Sequence, residues 1–181
     1  MKTEDADKLH KIGKGAYAAI VEMVAALNCD YERLQELTDE RQELEDAHND
    51  ADQESENARL EAKLALKAWD EENAEELAEL QEEAGECEDA DQARERIQED
   101  ALSVEVRSGW TSLGDPLEAE EFCILLTTGG PAVRIRGELN EDGEPARAWL
   151  EVQDWFLPWT EYVPADGDVL LDYARCFYFG E

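Results

Sequence analysis

The stretch from Asp30 to Asp100 lacks proline and contains a single glycine, Gly85. Proline and glycine are the residues that most disfavour a helix interior, so their near absence favours long helices. Basic residues are also scarce, because the stretch holds 28 acidic and seven basic residues and has a formal charge of −21. We therefore expect the chain to be organised around an acidic helical block.

The whole chain has 16 Lys and Arg residues against 48 Asp and Glu, a formal net charge of −32. Nucleic acids and anionic membranes are themselves polyanions, so we expect no direct binding to either. The charge favours a partner with a basic surface instead. Proteins that bind DNA or RNA form one such class of partner.

The chain has four cysteines, and no two of them have a zinc-ribbon spacing. We expect four reduced thiols in a cytoplasmic protein. The N-terminal residues carry charges throughout, and the longest apolar run, Ala16–Leu27, is interrupted by Glu22. Because that run is also short, we expect neither a signal peptide nor a transmembrane helix.

Histidine is equally scarce, since His10 and His48 are the only two. No Ser-His-Asp set can be nominated from them, and we predict a protein that is not an enzyme. Gly13-Lys14-Gly15 looks like part of a phosphate loop, but the remaining spacing of that motif is absent. Asp50, Asp52 and Glu54 have half of a calcium-loop spacing without its glycine. We therefore predict no catalytic residue, cofactor or metal site.

Apolar residues at spacings of three and four predict a helical hairpin in the first half of the chain. Residues 1–14 are expected to form a frayed terminus, followed by helical arms over Ala16–Ala47 and Asn57–Ala84 with a turn near 48–56. Heptad positions along both arms favour coiled-coil packing. Gly85 should stop the second arm, and Asp89 or Asp91 should cap a short third helix.

The second half has the alternating pattern of β-strands, and four of the five tryptophans lie there. The predicted strands are Ser103–Trp110, Glu121–Thr128, Ala132–Leu139 and Ala146–Trp155, and Asp166-Gly167-Asp168 is expected to cap a C-terminal helix. The fold class is therefore α+β: an N-terminal acidic antiparallel helical hairpin or coiled coil, then a four-stranded, mainly antiparallel sheet with a C-terminal helix. We divide the chain into an acidic helical arm, 1–88, and an α+β domain, 89–181.

Several segments of the second half carry a resemblance to a known family. They are Leu102–Trp110, Thr128–Ile135, Gly143–Pro145, Gln153–Trp155 with Pro158-Trp159, and Tyr173–Glu181. In them the chain resembles small acidic proteins encoded in bacteriophages and prophages of proteobacteria, over about residues 89–181 and more weakly over 13–34. The resemblance implies a phage accessory protein in a bacterial cytoplasm. Small acidic phage proteins of this kind are often inhibitors of host defences, anti-CRISPR proteins among them.

The strongest candidate for partner binding is a run of glutamates without a base between Lys67 and Arg94. One interpretation is the solvated outside of a coiled coil. The other is a DNA mimic, because carboxylates one helical turn apart are about 5–6 Å from each other and can occupy a groove lined with Lys and Arg. The predicted contact residues are Glu71, Glu72, Glu75, Glu76, Glu79, Glu82, Glu83 and Glu86.

The aromatic segment from Trp155 to Tyr162 also has two interpretations. It can be core packing next to a proline-kinked sheet edge, or a partly exposed anchor for a partner, since Trp and Tyr are enriched at interface hot spots. Trp155, Trp159 and Tyr162 are the residues we nominate for the second interpretation. Arg134 and Arg136 are expected to pair with acidic neighbours on the sheet surface.

The sequence thus supports two hypotheses for function. The first is a non-enzymatic phage inhibitor that binds a basic host protein, such as a nucleic-acid-binding component of a defence nuclease complex. The second is a structural or assembly protein that self-associates, for example as a homodimer, through its coiled-coil arm.

Overall fold

A computed structural model describes residues 3–51 and 55–180. Its elements in chain order are α1 (Thr3–Asn28), α2 (Tyr31–Ala51), α3 (Glu56–Ala84), α4 (Ala90–Asp100), β1 (Ser103–Arg107), β2 (Glu121–Thr127), β3 (Ala132–Leu139), β4 (Pro145–Gln153), β5 (Thr160–Glu161) and α5 (Gly167–Ala174). The predicted α+β class, with a helical hairpin before an antiparallel sheet and a C-terminal helix, is confirmed. The chain divides into two compact units, residues 25–90 and residues 1–24 with 91–181.

The first unit is the hairpin of α2 and α3. Arg33 of α2 pairs with Glu76, and Arg41, further along α2, pairs with the earlier residue Asp70 of α3. The two helices are therefore antiparallel. Four of the predicted heptad positions, Leu37, Ala51, Leu77 and Ala84, are buried, whereas a fifth, Ala65, is exposed. The predicted turn near 48–56 falls partly on residues 52–54, which lie outside the described residues.

The first predicted arm, Ala16–Ala47, was wrong in its bounds. Helix begins at Thr3, where a frayed terminus was expected, and it is broken at Cys29-Asp30. The break has a local cause, because the Asp30 carboxylate accepts a hydrogen bond from the Arg33 N–H and so caps α2. The Tyr31 hydroxyl donates to the Ala26 carbonyl, which satisfies one of the free carbonyls at the end of α1.

The second unit is built on a five-stranded antiparallel sheet in the order β1-β2-β3-β4-β5. Four strands were predicted, and the fifth is the two-residue pair Thr160–Glu161, too short to carry an alternating pattern. One face of the sheet is apolar, and its buried side chains include Phe122, Ile124, Ile135 and Leu150.

Helices pack on this second unit from both ends of the chain. α5 lies on β4, and the Tyr173 hydroxyl donates to Asp100 at the end of α4 over 2.8 Å. Residues of α1 also join this unit: Lys8 pairs with Asp154, a carboxylate that is almost fully buried, and the Tyr17 hydroxyl accepts from the Asp166 N–H. Residues 3–24, which the sequence analysis placed in the arm, therefore pack with residues 91–180.

Candidate partner-binding surface

Ser55 and Gly85 fix the two ends of the helix that carries the candidate glutamates. The Ser55 hydroxyl accepts a hydrogen bond from the Ala58 N–H at the start of α3. At the other end Gly85 adopts φ 58° and donates its N–H to the Gln81 carbonyl. A left-handed conformation at this position favours glycine, as the sequence analysis expected of a helix stop.

Three polar contacts hold α3 against α2. The Arg33 guanidinium forms a two-pronged contact with the Glu76 carboxylate, at 2.9 Å from Nε to Oε1 and 2.9 Å from Nη2 to Oε2. The Trp69 indole N–H donates to Glu40 over 3.0 Å, and Arg41 Nε donates to Asp70 over 3.2 Å. Two-pronged arginine contacts constrain geometry as well as distance. The hydrogen bonds from Arg33 hold the pKa of Glu76 below its usual range, so this carboxyl group is charged at neutral pH.

We define the acidic face by the eight nominated glutamates, which are all exposed. Seven lie on α3, and Glu86 lies in the turn that follows Gly85. At 100° per residue, Glu71, Glu75, Glu79 and Glu82 form a stripe opposite the buried Leu77 and Ala84. The remaining three on the helix, Glu72, Glu76 and Glu83, form a second row beside the first.

Charge on the acidic face is dense and mostly unpaired. Glu71 pairs with Lys67 and Glu76 with Arg33, but among the described residues the other six have no ion pair: Glu72, Glu75, Glu79, Glu82, Glu83 and Glu86. The five unpaired carboxylates on the helix, from Glu72 to Glu83, span about 17 Å of axis, or one charge per about 4 Å. One strand of B-DNA carries a charge per about 3.4 Å of axis. The linear charge density of this face is thus similar to that of one DNA strand.

The aromatic candidates occupy three different environments. Trp155 is 65% exposed and adopts φ 36°, a backbone region that a bulky residue seldom occupies. Trp159 is half-buried, and the Arg134 guanidinium lies 4.0 Å from the centre of its ring. Tyr162 is buried with its ring 5.4 Å from that of His10. A hot-spot side chain needs accessible area, so Trp155 is the best placed of the three to meet a partner.

The polar face of the sheet carries an ion-pair network that was only partly predicted. Arg134 pairs with Glu151, and Arg136 with Glu121, as expected of sheet-surface partners. Arg107 also pairs with Glu121 at 2.6 Å. Hydrogen bonds from Arg107, reinforced by Arg136, keep the pKa of Glu121 below its usual range. The shared carboxylate was not predicted, because it depends on the register between three strands.

The exposure of Trp110 and Phe156 was also missed. Large aromatic residues are usually placed in the core when only a sequence is read. The signal that could have found Trp110 is its position next to Gly109 and before Gly114, where turn residues end the first strand. Both aromatic side chains therefore add to the apolar surface of the sheet unit.

No group of three or more His, Cys, Asp and Glu side chains is arranged to hold a metal ion among residues 3–51 and 55–180. All four cysteines are free thiols, three of them buried and Cys123 half-buried. In the described part of the chain, no single helix is long and apolar enough to cross a membrane, although α1 and α2 taken together pass that test. Comparisons with protein-family models, curated proteins and solved structures find no match.

Proposed function

We propose that this protein is a non-enzymatic, phage-encoded inhibitor that acts in the bacterial cytoplasm. It would bind the basic surface of a host protein that handles nucleic acid, such as a defence nuclease complex, and occupy that surface as a DNA mimic. The observation that carries this proposal is the acidic face, a set of exposed carboxylates on a capped helix with a charge spacing close to that of a DNA strand. The phage origin rests on the resemblance of residues 89–181.

The imbalance of charge favours recognition over simple solvation. Solvated helices gain a few tenths of a kcal/mol from each Glu–Lys pair at four-residue spacing, and like charges at that spacing destabilise by similar amounts. The segment from 68 to 93 has twelve acidic residues and no base. A helix whose only role is to remain soluble has no need of that repulsion, whereas a surface complementary to Lys and Arg does.

Two variants of equal net charge test the proposal. The acidic-face variant changes Glu72, Glu75, Glu79, Glu82, Glu83 and Glu86 to Gln. The control variant changes six exposed glutamates of the sheet unit to Gln, namely Glu95, Glu99, Glu118, Glu120, Glu141 and Glu144. Each variant changes the formal charge from −32 to −26, which makes it less negative by six. A difference between them therefore reports position rather than total charge.

The experiment begins with capture of binding proteins from a bacterial lysate on each immobilised chain. The dissociation constant of the captured protein is then measured by calorimetry between 0.05 and 0.3 M NaCl. We expect the wild-type affinity to fall steeply with salt, since electrostatic attraction is screened within about 10 Å at 0.1 M. The acidic-face variant should bind at least tenfold more weakly, while the control variant should retain wild-type affinity. Equal losses in the two variants would contradict recognition by the acidic face.

A second candidate function is self-association through the arm in a structural or assembly role. The observation that favours it is a pair of exposed leucines, Leu60 and Leu64, one turn apart on α3. Changing both leucines to Gln should abolish a dimer formed through the arm and leave binding of a basic host protein intact. Light scattering on the variant separates the two functions.

A further inference from the structure

β1 forms one edge of the sheet, and its outer side is open. The strand pairs with β2 alone, so its other side presents backbone N–H and C=O groups without a strand partner. Proteins usually protect such an edge with charged side chains, especially lysine, or with proline, a bulge or a very short strand. β1 has five residues, of which Glu105 and Arg107 are charged; it contains neither lysine nor proline and keeps an unbroken register with β2. The opposite edge, β5, has only two residues.

The apolar face of the sheet continues onto this edge without a cover. Val104 lies opposite Ile124, and Val106 lies opposite Phe122, and both of these β2 residues are fully buried. The valines themselves are 39% and 51% exposed. Leu102, just before the strand, is also exposed. Exposed apolar side chains at the edge of a sheet, next to buried ones on the neighbouring strand, mark a surface on which a further strand can pair.

The sequence around Val106 is complementary to itself in the antiparallel direction. Residues directly opposite each other in an antiparallel pair lie on the same face, and opposite charges there are stabilising. When Val106 faces Val106 of a second copy, Glu105 faces Arg107 of that copy. If the pairing continues past the ends of β1, Leu102 faces the exposed Trp110. Because the axis is two-fold, the Glu105–Arg107 pair and the Leu102–Trp110 pair each form twice, and the Val106 pair forms once on the axis.

The neighbouring registers lack the charge match. Centring the pair on Glu105 would place the two Glu105 carboxylates opposite each other, which is destabilising. Centring it on Val104 would keep apolar pairs, with Val106 opposite Leu102, but would leave Arg107 opposite Ala101 and so lose the charge pair. Within the described residues Glu105 has no ion pair, so its carboxylate is available to Arg107 of a second copy. Arg107 already pairs with Glu121 of its own chain, and in the dimer its guanidinium would be shared between the two carboxylates.

We propose that β1 is a homodimerisation edge, on which two copies of this chain pair antiparallel about a two-fold axis at Val106 to form one ten-stranded sheet. The occupant of the edge is thus a second copy of the chain. This assembly is independent of the acidic face, and it uses a surface different from the exposed leucines of α3.

Sedimentation equilibrium of the full chain tests the proposal. The buffer contains 0.15 M NaCl, at which the screening length is about 8 Å. Salt at this concentration weakens the long-range repulsion between two acidic chains more than it weakens the short contacts between opposed side chains. One chain has a mass of 20.5 kDa, so the dimer has about 41 kDa. Glu105→Arg or Arg107→Glu alone should weaken the dimer at least tenfold. The two changes together should restore it, because the pairs then form with their charges exchanged. Circular dichroism checks that each variant is folded.

The matched control exchanges another charge pair of the same sheet face, Glu138→Arg with Arg147→Glu, and should leave the dimer intact. A wild-type chain that stays monomeric at 100 µM would overturn the proposal. So would a double exchange at 105 and 107 that fails to restore the dimer although the protein is folded.

The register has its own test in two single-cysteine additions. At the two-fold axis, opposed Cα atoms are about 4.5–5.5 Å apart, which is within the range of disulfides, so Val106→Cys should form an intermolecular disulfide under a mild oxidant. Val104→Cys places its two sulfurs about 13 Å apart along the strands and should not. The wild-type chain, oxidised in the same way, measures how much covalent dimer forms through the native Cys123. A covalent dimer from Val104→Cys and none from Val106→Cys would contradict the proposed register.

Discussion

At the scale of single residues, Gly13 and Gly15 lie two positions apart on α1 and meet different surroundings. A Cβ atom on Gly13 would collide with the Tyr162 ring, whereas one on Gly15 would meet no atom within 4 Å beyond its chain neighbours and the nearby backbone of its own helix. Alanine is favoured over glycine in helices by about 1 kcal/mol. We expect Gly15→Ala to stabilise the protein by up to about 1 kcal/mol and Gly13→Ala to destabilise it by about 1–3 kcal/mol. Urea unfolding measures both, and effects of the same sign would contradict the packing of α1 on Tyr162.

Tyr173 makes the stability of the sheet unit sensitive to alkaline pH. Burial, with the hydrogen bond to Asp100, raises the pKa of this phenol well above its usual range. The unfolded chain loses the phenolic proton near pH 10, before the folded chain does, so stability is complete below that pH and declines above it.

We therefore expect Tyr173→Phe to cost about 1 kcal/mol at pH 7, where the hydrogen bond is lost, and less as the pH rises from 9 to 11. Thermal unfolding followed at several pH values measures the difference between variant and wild type. A difference that stays constant over this range would show that the phenol does not couple folding to pH.

At the scale of elements, α3 is the helix where stability and recognition oppose each other. Its like charges at four-residue spacing repel one another, and neutral Gln is as good a helix former as Glu. We expect the acidic-face variant to unfold at a higher temperature than the wild type, although it binds its partner more weakly. Differential scanning calorimetry measures the change. A lower unfolding temperature would mean that these carboxylates stabilise the hairpin, and the solvated-helix interpretation would then be preferred.

Elements with a strong local pattern were predictable from the sequence. β3 was predicted with its observed bounds, and Asp166 caps α5 as expected, because alternation and capping act over a few residues. The break at Cys29-Asp30 was missed, since apolar periodicity continues across it from Val24 to Leu34 and hides a cap that depends on one side-chain hydrogen bond. Periodicity reports which face is buried, but not whether the axis is continuous.

At the scale of the whole molecule, the acidic face could be predicted from the sequence. A helix with this many charged residues must expose most of them, wherever it packs in the fold. The environment of Tyr162 could not, since it depends on α1 packing with residues 91–180. The open edge of β1 was equally hidden, because strand order decides which strand lacks a neighbour. The exposure of the aromatic candidates therefore depends on distant parts of the chain, whereas the exposure of the acidic candidates depends on local sequence.

The most direct measurement of the central claim is competition with DNA. The captured host protein is bound to a fluorescent 30-base-pair duplex, and the anisotropy is followed as the wild type, the acidic-face variant or the control variant is added. The account predicts that the wild type and the control variant displace the duplex at equal concentrations, and that the acidic-face variant needs at least tenfold more. A complex in which DNA stays bound beside the wild-type chain, or equal displacement by the acidic-face variant, would contradict it.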